Sequence, residues 1–296
     1  MQSTNFDHPV FTETFTLSDG NKIPFVGMGT WRMTDSDVLT SAIDAALEAG
    51  YRHFDCAELY ENEEIIGKAL AQGMAKYGVK REELWLTSKV PHYSMEYDAA
   101  KECIDNSVRQ LTQSEDGYLD LVLIHWPTSI IVEAGLENRL TIWKALQEKQ
   151  AVGKVKSIGV SNFTAKHIQE FLDKGITPTL NQIEIHPLYQ EMETIKLCQA
   201  HNIALTAYAP LAISDEKLLK NPIILGLSEK YGRKSGQIVL RWATQRGFIV
   251  IPKSSQKDHL IENLRIGGFA LTPEEVEAVN GLNCGYKTDW DPKDEL

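Results

Sequence analysis

Hydrophobic and polar positions along the chain alternate between two periods. Short apolar runs such as Leu119–Ile124 are each followed by a longer segment with apolar residues every three or four positions, such as Ile66, Leu70 and Met74. Runs of the first kind are typical of buried β-strands, and segments of the second kind are typical of amphipathic helices. Because the alternation repeats eight times, it predicts an α/β protein built as a parallel (β/α)8 barrel. An open, doubly wound sheet is the alternative.

The same pattern predicts where the elements lie. A β-hairpin over 13–17 and 22–25, turning at Asp19-Gly20, is expected before the barrel. Thr34, with Asp37 three residues later, is expected to cap the first helix, and Gly50 to end it. Two additional helices, 259–265 and 272–280, are expected to follow the barrel. The barrel strands are predicted at 25–29, 51–55, up to Lys89, up to His125, 154–159, 179–183, 204–207 and 248–251. The intervening helices are predicted around Ile66–Met74 and at 37–49, 97–111, 140–150, 164–173 and 192–201, with one or two further helices over 222–245.

Length and composition fit this architecture as one domain over residues 1–296. A barrel of this type needs roughly 250 residues, and no linker or low-complexity tract divides the chain. A formal net charge of −11 argues against nucleic acid or an anionic membrane as the main partner. The N-terminus lacks the features of a signal peptide, and no apolar run approaches the roughly 20 residues of a membrane helix. With four scattered cysteines, we expect a cytoplasmic protein with free thiols.

Polar residues recur at the ends of the predicted strands. Asp55, Lys89 and His125 each end one, and Tyr60 follows shortly after the first. In a barrel these strand ends converge on one face, which is where barrel enzymes carry their active sites. Singly, Asp55 could cap a helix, Lys89 could be a solvated strand end and His125 could be a core histidine. Together they suit the protonation of a carbonyl oxygen, with a tyrosine as the donor and a lysine, an aspartate and a histidine around it.

The common nucleotide and metal motifs are absent from the sequence. Gly27-Met28-Gly29-Thr30-Trp31-Arg32 starts like a dinucleotide-binding loop, but Arg32 stands where the third glycine belongs. There is no phosphate-binding Gly-x-x-x-x-Gly-Lys motif and no His-Glu-x-x-His, and the eight histidines do not cluster at ligand spacing. We therefore expect neither a Rossmann domain nor a metal site.

Over nearly its whole length the chain resembles the aldo-keto reductase superfamily, in particular its short-loop microbial and protist branch. The resemblance rests on the ordered stretches Gly29-Thr30-Trp31, His53-Phe54-Asp55-Cys56-Ala57, Tyr60-Glu61-Asn62-Glu63, Thr87-Ser88-Lys89, Ile124-His125-Trp126-Pro127, Gly159-Val160-Ser161-Asn162-Phe163, Asn181-Gln182-Ile183-Glu184, Ala207-Tyr208-Ala209-Pro210-Leu211 and Ile251-Pro252-Lys253-Ser254.

The resemblance implies NADPH-dependent reduction of a small aldehyde or ketone by a monomeric enzyme. Tyr60 would be the general acid, and Lys89 would lower its pKa. Asp55 would hold Lys89, and His125 would orient the carbonyl. Trp31 and Trp126 would form walls of the substrate pocket. The residues expected to contact the cofactor are Thr30, Ser161, Asn162, Gln182, Tyr208, Leu211, Lys253, Ser254, His259, Glu262 and Asn263.

Some positions depart from the family pattern. His259 stands where NADPH-specific members usually carry arginine, which leaves NADH as a weaker alternative cofactor. Pro91 replaces a frequent tryptophan, Ala209 replaces a frequent serine, and the loops 128–138 and 211–221 are short. Other readings stay open: a redox-sensing regulatory subunit with little turnover, a member specialised for prostaglandin endoperoxide reduction, or an isomerase or phosphate-binding barrel. The physiological substrate does not follow from the sequence.

Overall fold

The N-terminal hairpin closes one end of the molecule. In the computed structural model, which describes residues 10–91, 96–128 and 135–288, β1 (Thr14–Thr16) pairs antiparallel with β2 (Lys22–Pro24). Leu17 and Ile23 of the hairpin pack against apolar residues inside the barrel, including Trp85 and Ile249. Because Trp85 and Ile249 are the first residues of their strands, the hairpin blocks the N-terminal end of the barrel. The opposite end is left for a site.

Parallel strands form the wall of the barrel. In the described ranges, eight of them pair in sequence order: β3 (Met28–Gly29), β4 (His53–Asp55), β5 (Trp85–Val90), β6 (Leu119–Ile124), β7 (Val155–Ser161), β8 (Leu180–Glu184), β9 (Ala204–Tyr208) and β10 (Ile249–Val250). The first and last strands also meet, because Val26 bridges Val250 in parallel and the Gly27 amide donates to the Val250 carbonyl at 2.8 Å. This contact closes the sheet, which confirms the predicted barrel and excludes the open-sheet alternative.

Helices surround the strands and bury the outer faces of the sheet. They are α1 (Ser36–Ala49), α2 (Glu63–Tyr77), α3 (Tyr97–Thr112), α4 (Leu136–Ala151), α5 (Ala165–Asp173), α6 (Met192–Ala200), α7 (Glu216–Leu219), α8 (Pro222–Tyr231), α9 (Ser235–Gln245), α10 (Lys257–Leu264) and α11 (Pro273–Asn280). The last two are the additional helices that the sequence predicts. The segment 222–245, predicted to hold one or two helices, holds two, α8 and α9.

The start of α1 differs from the prediction. Asp35, not Thr34, is the N-cap, and its carboxylate accepts from the amides of Asp37 and Val38 at 3.0 and 2.9 Å. An aspartate caps at least as well as a threonine, so the shift by one residue follows from ordinary cap preference. Gly50 ends the helix as predicted, with a left-handed φ of 106°. The predicted loop 128–138 lies partly outside the described residues.

Candidate active site

Four polar residues converge at the C-terminal end of the barrel. Asp55 ends β4, Lys89 lies near the end of the neighbouring β5, and His125 directly follows β6. Tyr60 lies in a short 3-10 turn (Glu58–Tyr60) just after β4. Adjacent parallel strands bring together residues that are far apart in sequence, as the strand-end pattern predicts.

Lys89 is the centre of this group. Its side chain is fully buried, and its ammonium donates to Asp55 Oδ2 at 2.7 Å, the Cys56 carbonyl at 2.8 Å and Tyr60 Oη at 3.1 Å. All three ammonium hydrogens therefore have acceptors. Burial alone would lower the pKa of Lys89, but the negative field of Asp55 and the contact with Tyr60 outweigh it and raise the pKa. Lys89 is a fixed cation directly behind the phenol.

Asp55 is held from both sides. Its Oδ2 receives Lys89, and its Oδ1 accepts from Gln182 Nε2 at 2.7 Å. Its backbone carbonyl accepts from Thr30 Oγ1 at 2.8 Å. Two of the predicted cofactor contacts, Thr30 and Gln182, thus also fix the carboxylate that orients Lys89.

The pKa of Tyr60 differs from the sequence expectation. Burial raises it to about 12, and although Lys89 acts in the opposite direction, it offsets only part of that effect. The sequence predicts that Lys89 lowers the pKa of Tyr60, but it does not show how deeply the phenol is buried. The larger of the two effects on the pKa therefore could not be predicted. The consequence is that Tyr60 carries its proton throughout the neutral range, as a general acid must before it reacts.

His125 faces Tyr60 across the site. The two rings lie edge to face, with centroids 5.6 Å apart, and the Trp126 ring stacks beside His125 at 6.4 Å. The backbone at His125 is fixed, because its amide donates to the Val90 carbonyl and its carbonyl accepts from Asn162 Nδ2, both at 3.0 Å. Imidazole and phenol therefore point at a common volume from two strand ends.

The group opens into a cavity of about 480 Å³. Most of the predicted site residues line it: Thr30, Trp31, Asp55, Tyr60, His125, Trp126, Ser161, Asn162, Gln182, Tyr208, Leu211 and Lys253. Lys89 lies behind the wall. The volume is large enough to hold a small molecule together with part of a second, larger molecule. A few polar groups converge in the cavity, and the rest of its wall is apolar, as is typical of ligand-binding sites.

A second set of hydrogen bonds shapes the wall opposite Tyr60. Tyr208 Oη donates to Asn162 Oδ1 at 2.9 Å, and Ser161 Oγ donates to the Gln182 carbonyl at 2.9 Å. Asn162 adopts a left-handed φ of 63°, which asparagine tolerates better than most residues. The Asn162 side chain therefore links Tyr208 to the strand end that carries His125.

Four predicted cofactor residues lie away from the cavity wall. Ser254 accepts from the Gln256 amide at 3.0 Å, His259 is exposed on α10, and Glu262 pairs with Lys234 at 2.9 Å. Asn263 is buried. None of these four residues lines the cavity, so their contacts with a cofactor stay predictions.

The loop after β9 contributes wall residues that the sequence pattern does not reveal. Ile213 and Ser214 line the cavity with Leu211, although Ile213 is otherwise exposed. Both have positive φ, 55° and 62°. The loop is anchored where Asp215 accepts from Tyr286 Oη at 2.7 Å. Non-glycine residues in this conformation persist only where surrounding contacts hold them.

Arg32 is another residue that the pattern missed. It lines the cavity, and its guanidinium lies 4.1 Å from the centre of the Trp31 ring. In the sequence it registered only as a break in a glycine motif. With Lys253 it brings two cations to the edge of the cavity in a protein of net charge −11. This local positive charge favours an anionic group there.

The residues that the structure describes have neither a metal-binding cluster nor a helix suited to a membrane. They contain no group of three or more His, Cys, Asp and Glu side chains placed to hold a metal ion. None of their helices is long and apolar enough to cross a membrane. All four cysteines are free thiols.

Comparison with known proteins identifies the family. The model of the Aldo/keto reductase family matches residues 25–283. Relatives include the 9,11-endoperoxide prostaglandin H2 reductase of Trypanosoma cruzi, 38% identical over 94% of both chains, and the methylglyoxal reductase DkgA of Escherichia coli, 37% identical over 93% of this chain and 95% of its own. A Bombyx mori aldo-keto reductase crystallised with NADP superposes with a TM-score of 0.87 at 34% identity over 95% of each chain. The chain belongs to the aldo/keto reductase family.

Proposed function

We propose that this protein reduces aldehydes or ketones to alcohols with NADPH, and that Tyr60 is the general acid. The proposal rests on the environment of Tyr60. Lys89 is fully buried, forms an ion pair with Asp55 and contacts the Tyr60 hydroxyl at 3.1 Å. Tyr60 and His125 both line the cavity. The arrangement suits proton donation to a carbonyl oxygen.

The residues present fit a nicotinamide cofactor, which would supply the hydride. Ser161, Asn162 and Gln182 bring side-chain amides and a hydroxyl to one side of the cavity, suited to a carboxamide. The Tyr208 ring would pack against the nicotinamide. Lys253 at the rim, with Ser254 next to it, suits a phosphate. NADP in the Bombyx mori relative supports the same choice.

The protein's own residues would carry the proton chemistry. His125 and Tyr60 would bind the carbonyl oxygen between them, which orients the substrate and stabilises the negative charge that develops on that oxygen. The Tyr60 proton would then pass to the oxygen, which as an alkoxide is a much stronger base than a phenolate. Lys89 would stabilise the phenolate left behind. A pKa near 12 keeps the proton on Tyr60 until that base forms.

The cavity walls favour an apolar group beside the carbonyl. Trp31, Leu59, Trp126 and Ile213 are among the apolar side chains that line the cavity. The relatives are named for substrates as different as methylglyoxal and a prostaglandin endoperoxide. We therefore infer a broad substrate specificity.

The test is the loss of NADPH absorbance with aromatic aldehydes, ketones, methylglyoxal and a prostaglandin endoperoxide, repeated with NADH. We expect turnover with NADPH and a loss of about 10²-fold or more in the Tyr60→Phe variant, the size typical of a lost general acid. Cofactor binding, followed by quenching of tryptophan fluorescence, should survive the substitution. Turnover of the variant near the wild-type rate would refute Tyr60 as the acid. Binding without turnover in the wild type would favour the redox-sensing alternative.

A further inference from the structure

A second buried polar cluster lies on the far side of the strand that carries Lys89. Glu63, the first residue of α2, is only 1% exposed, and its Oε1 accepts from Ser88 Oγ at 2.5 Å. Ser88 Oγ also lies 3.2 Å from Ser107 Oγ on α3. Because side chains alternate along a strand, Ser88 points towards the helices while Lys89 points into the site. β5 therefore connects the Glu63 carboxyl to the Lys89 ammonium.

The surroundings of Glu63 do not compensate a negative charge. Among the described residues, its Oε2 has no hydrogen-bond partner although it is buried. The charged groups that act on it are the Glu58 carboxylate, which disfavours ionisation, and Lys89, which favours it. Lys89 already forms an ion pair with Asp55 at 2.7 Å, so it can compensate a second carboxylate only in part. Ionised Glu63 would therefore add an unbalanced buried charge, which is costly.

Other groups near Glu63 also affect whether its carboxyl is ionised. Cys56, next to Asp55, and Cys103 on α3 both feel the field of Glu63, and burial keeps both thiols protonated. The N-terminus of α2 acts the other way, because a helix dipole favours a carboxylate in the first turn. Burial raises the pKa of the Glu63 carboxyl to about 7, with the hydrogen bonds from Ser88 and Ser107 opposing the rise. The group thus changes charge in the range where a cytoplasmic enzyme works.

We propose that Glu63 is a positioning residue for the Lys89–Tyr60 pair: protonated, it leaves the Lys89 charge to Tyr60, and ionised, it competes for that charge and weakens Tyr60 as an acid. The inference rests on the proposed role of Tyr60. Protonated Glu63 is neutral, so Lys89 acts on Tyr60 and Asp55 alone. When Glu63 releases its proton to water, the new negative charge draws on the field of Lys89. A phenolate at Tyr60 is then less stabilised.

The pH dependence of turnover tests this coupling. Reduction by the wild type should fall roughly three- to tenfold from pH 6 to pH 8, as expected if up to one pKa unit of acid strength is lost at Tyr60. Glu63→Gln mimics the protonated carboxyl at every pH, so its rate should stay nearly level over the same range. Glu64→Gln is the matched control, because Glu64 lies next in α2 but is exposed and pairs with Lys68. It should keep the wild-type profile.

A second variant shifts the same group without removing it. Ser88 donates to the Glu63 carboxyl, so Ser88→Ala should raise the proton affinity of Glu63 and move the inflection of the profile to higher pH. The Glu63 titration can also be followed without turnover, as a carboxyl infrared band that disappears with rising pH in the wild type and is missing in Glu63→Gln.

The outcomes separate this inference from the proposed function. If the wild type does not turn over, the proposed function fails, whatever the infrared titration shows. If it does turn over but Glu63→Gln keeps the wild-type inflection, or Ser88→Ala leaves the inflection in place, Glu63 does not act on the reaction and the inference is wrong.

Discussion

Removing the buried cation at Lys89 should destabilise the protein far more than removing a surface cation. In the Lys89→Met variant the side chain keeps much of its length but loses three hydrogen bonds, one of them a 2.7 Å ion pair. Asp55 is then a buried carboxylate with the Gln182 amide as its remaining side-chain donor. Breaking a buried ion pair by removing one partner typically costs about 3–5 kcal/mol. We expect a decrease of about 4 kcal/mol in the free energy of unfolding.

The double variant identifies the source of this cost. In Lys89→Met with Asp55→Asn, the carboxylate left behind becomes a neutral amide, which can still accept from Gln182. If the uncompensated charge causes the loss, the double variant should recover about 2 kcal/mol relative to Lys89→Met, within the range of coupling energies for contacting residues. If the loss comes from packing alone, adding Asp55→Asn should leave stability where it was or lower it.

Urea unfolding followed by tryptophan fluorescence measures these changes, with the denaturant slope checked for constancy. Lys68→Met is the matched control, because Lys68 forms an ion pair of similar length with Glu64 but both side chains are about 60% exposed. Exposed pairs contribute at most about 1 kcal/mol. Equal decreases in the free energy of unfolding for Lys89→Met and Lys68→Met would refute the argument that burial makes the Lys89–Asp55 ion pair matter more for stability.

Three further measurements probe the cofactor rim, the helix layer and Glu63. Lys253→Met should raise the dissociation constant for NADPH roughly ten- to a hundredfold, as for a lost charged hydrogen bond, with a smaller effect on NADH in the same fluorescence titration; equal effects on both cofactors would contradict a phosphate contact. Gly67→Ala should destabilise α2 against α3 by about 1–3 kcal/mol, since a Cβ there would lie 1.9 Å from the Gln110 carbonyl. Gly226→Ala, on α8 with open space around it, should instead gain about 0.5–1 kcal/mol in urea unfolding. The folded-state pKa of Glu63 lies above its unfolded value, so the stability that this carboxyl contributes, about 3 kcal/mol in all, is present below its unfolded pKa and is lost as pH rises through about 7. Glu63→Gln should remove this contribution from the pH dependence of urea unfolding, and an unchanged pH dependence in the variant would show that Glu63 ionises normally.

The sequence predicts the barrel and its polar centre because both depend on local patterns. Eight alternations of period specify eight units, and a polar residue at a strand end must face the C-terminal side of a barrel whatever the loops do. Asp55, Lys89 and His125 therefore converge as expected. Boundaries are less determined, since Asp35 and Thr34 are both competent caps and only the packed helix selects between them.

Properties that depend on burial could not be predicted in this way. The pKa of Tyr60 rises although its cationic neighbour was correctly named, because the depth of the phenol is a property of the assembled barrel. Glu63 illustrates the same limit more strongly. A glutamate in the first turn of a helix ordinarily complements the helix dipole from the surface. The residues around Glu63 in the sequence do not indicate that its side chain is buried behind β5. In the structure it is only 1% exposed and accepts a hydrogen bond from Ser88.

Both faces of β5 carry ionisable groups: Lys89 on the face towards the cavity, and Glu63 packed against Ser88 on the face towards the helices. Barrel interiors hold the reacting groups, and the layer between strands and helices is ordinarily apolar core. Here that layer contains the Glu63 carboxyl, whose pKa burial raises to about 7 and which accepts a hydrogen bond from Ser88, the strand residue next to Lys89. A buried charge is screened little by solvent, so its field reaches Lys89 with little loss. We therefore expect that substitutions at Ser107 on α3, or at Glu58 in the turn that also carries Tyr60, change the proposed acid strength of Tyr60 without contacting substrate or cofactor. Residues outside the barrel interior would then contribute to the electrostatics of the proposed reaction as well as to the fold.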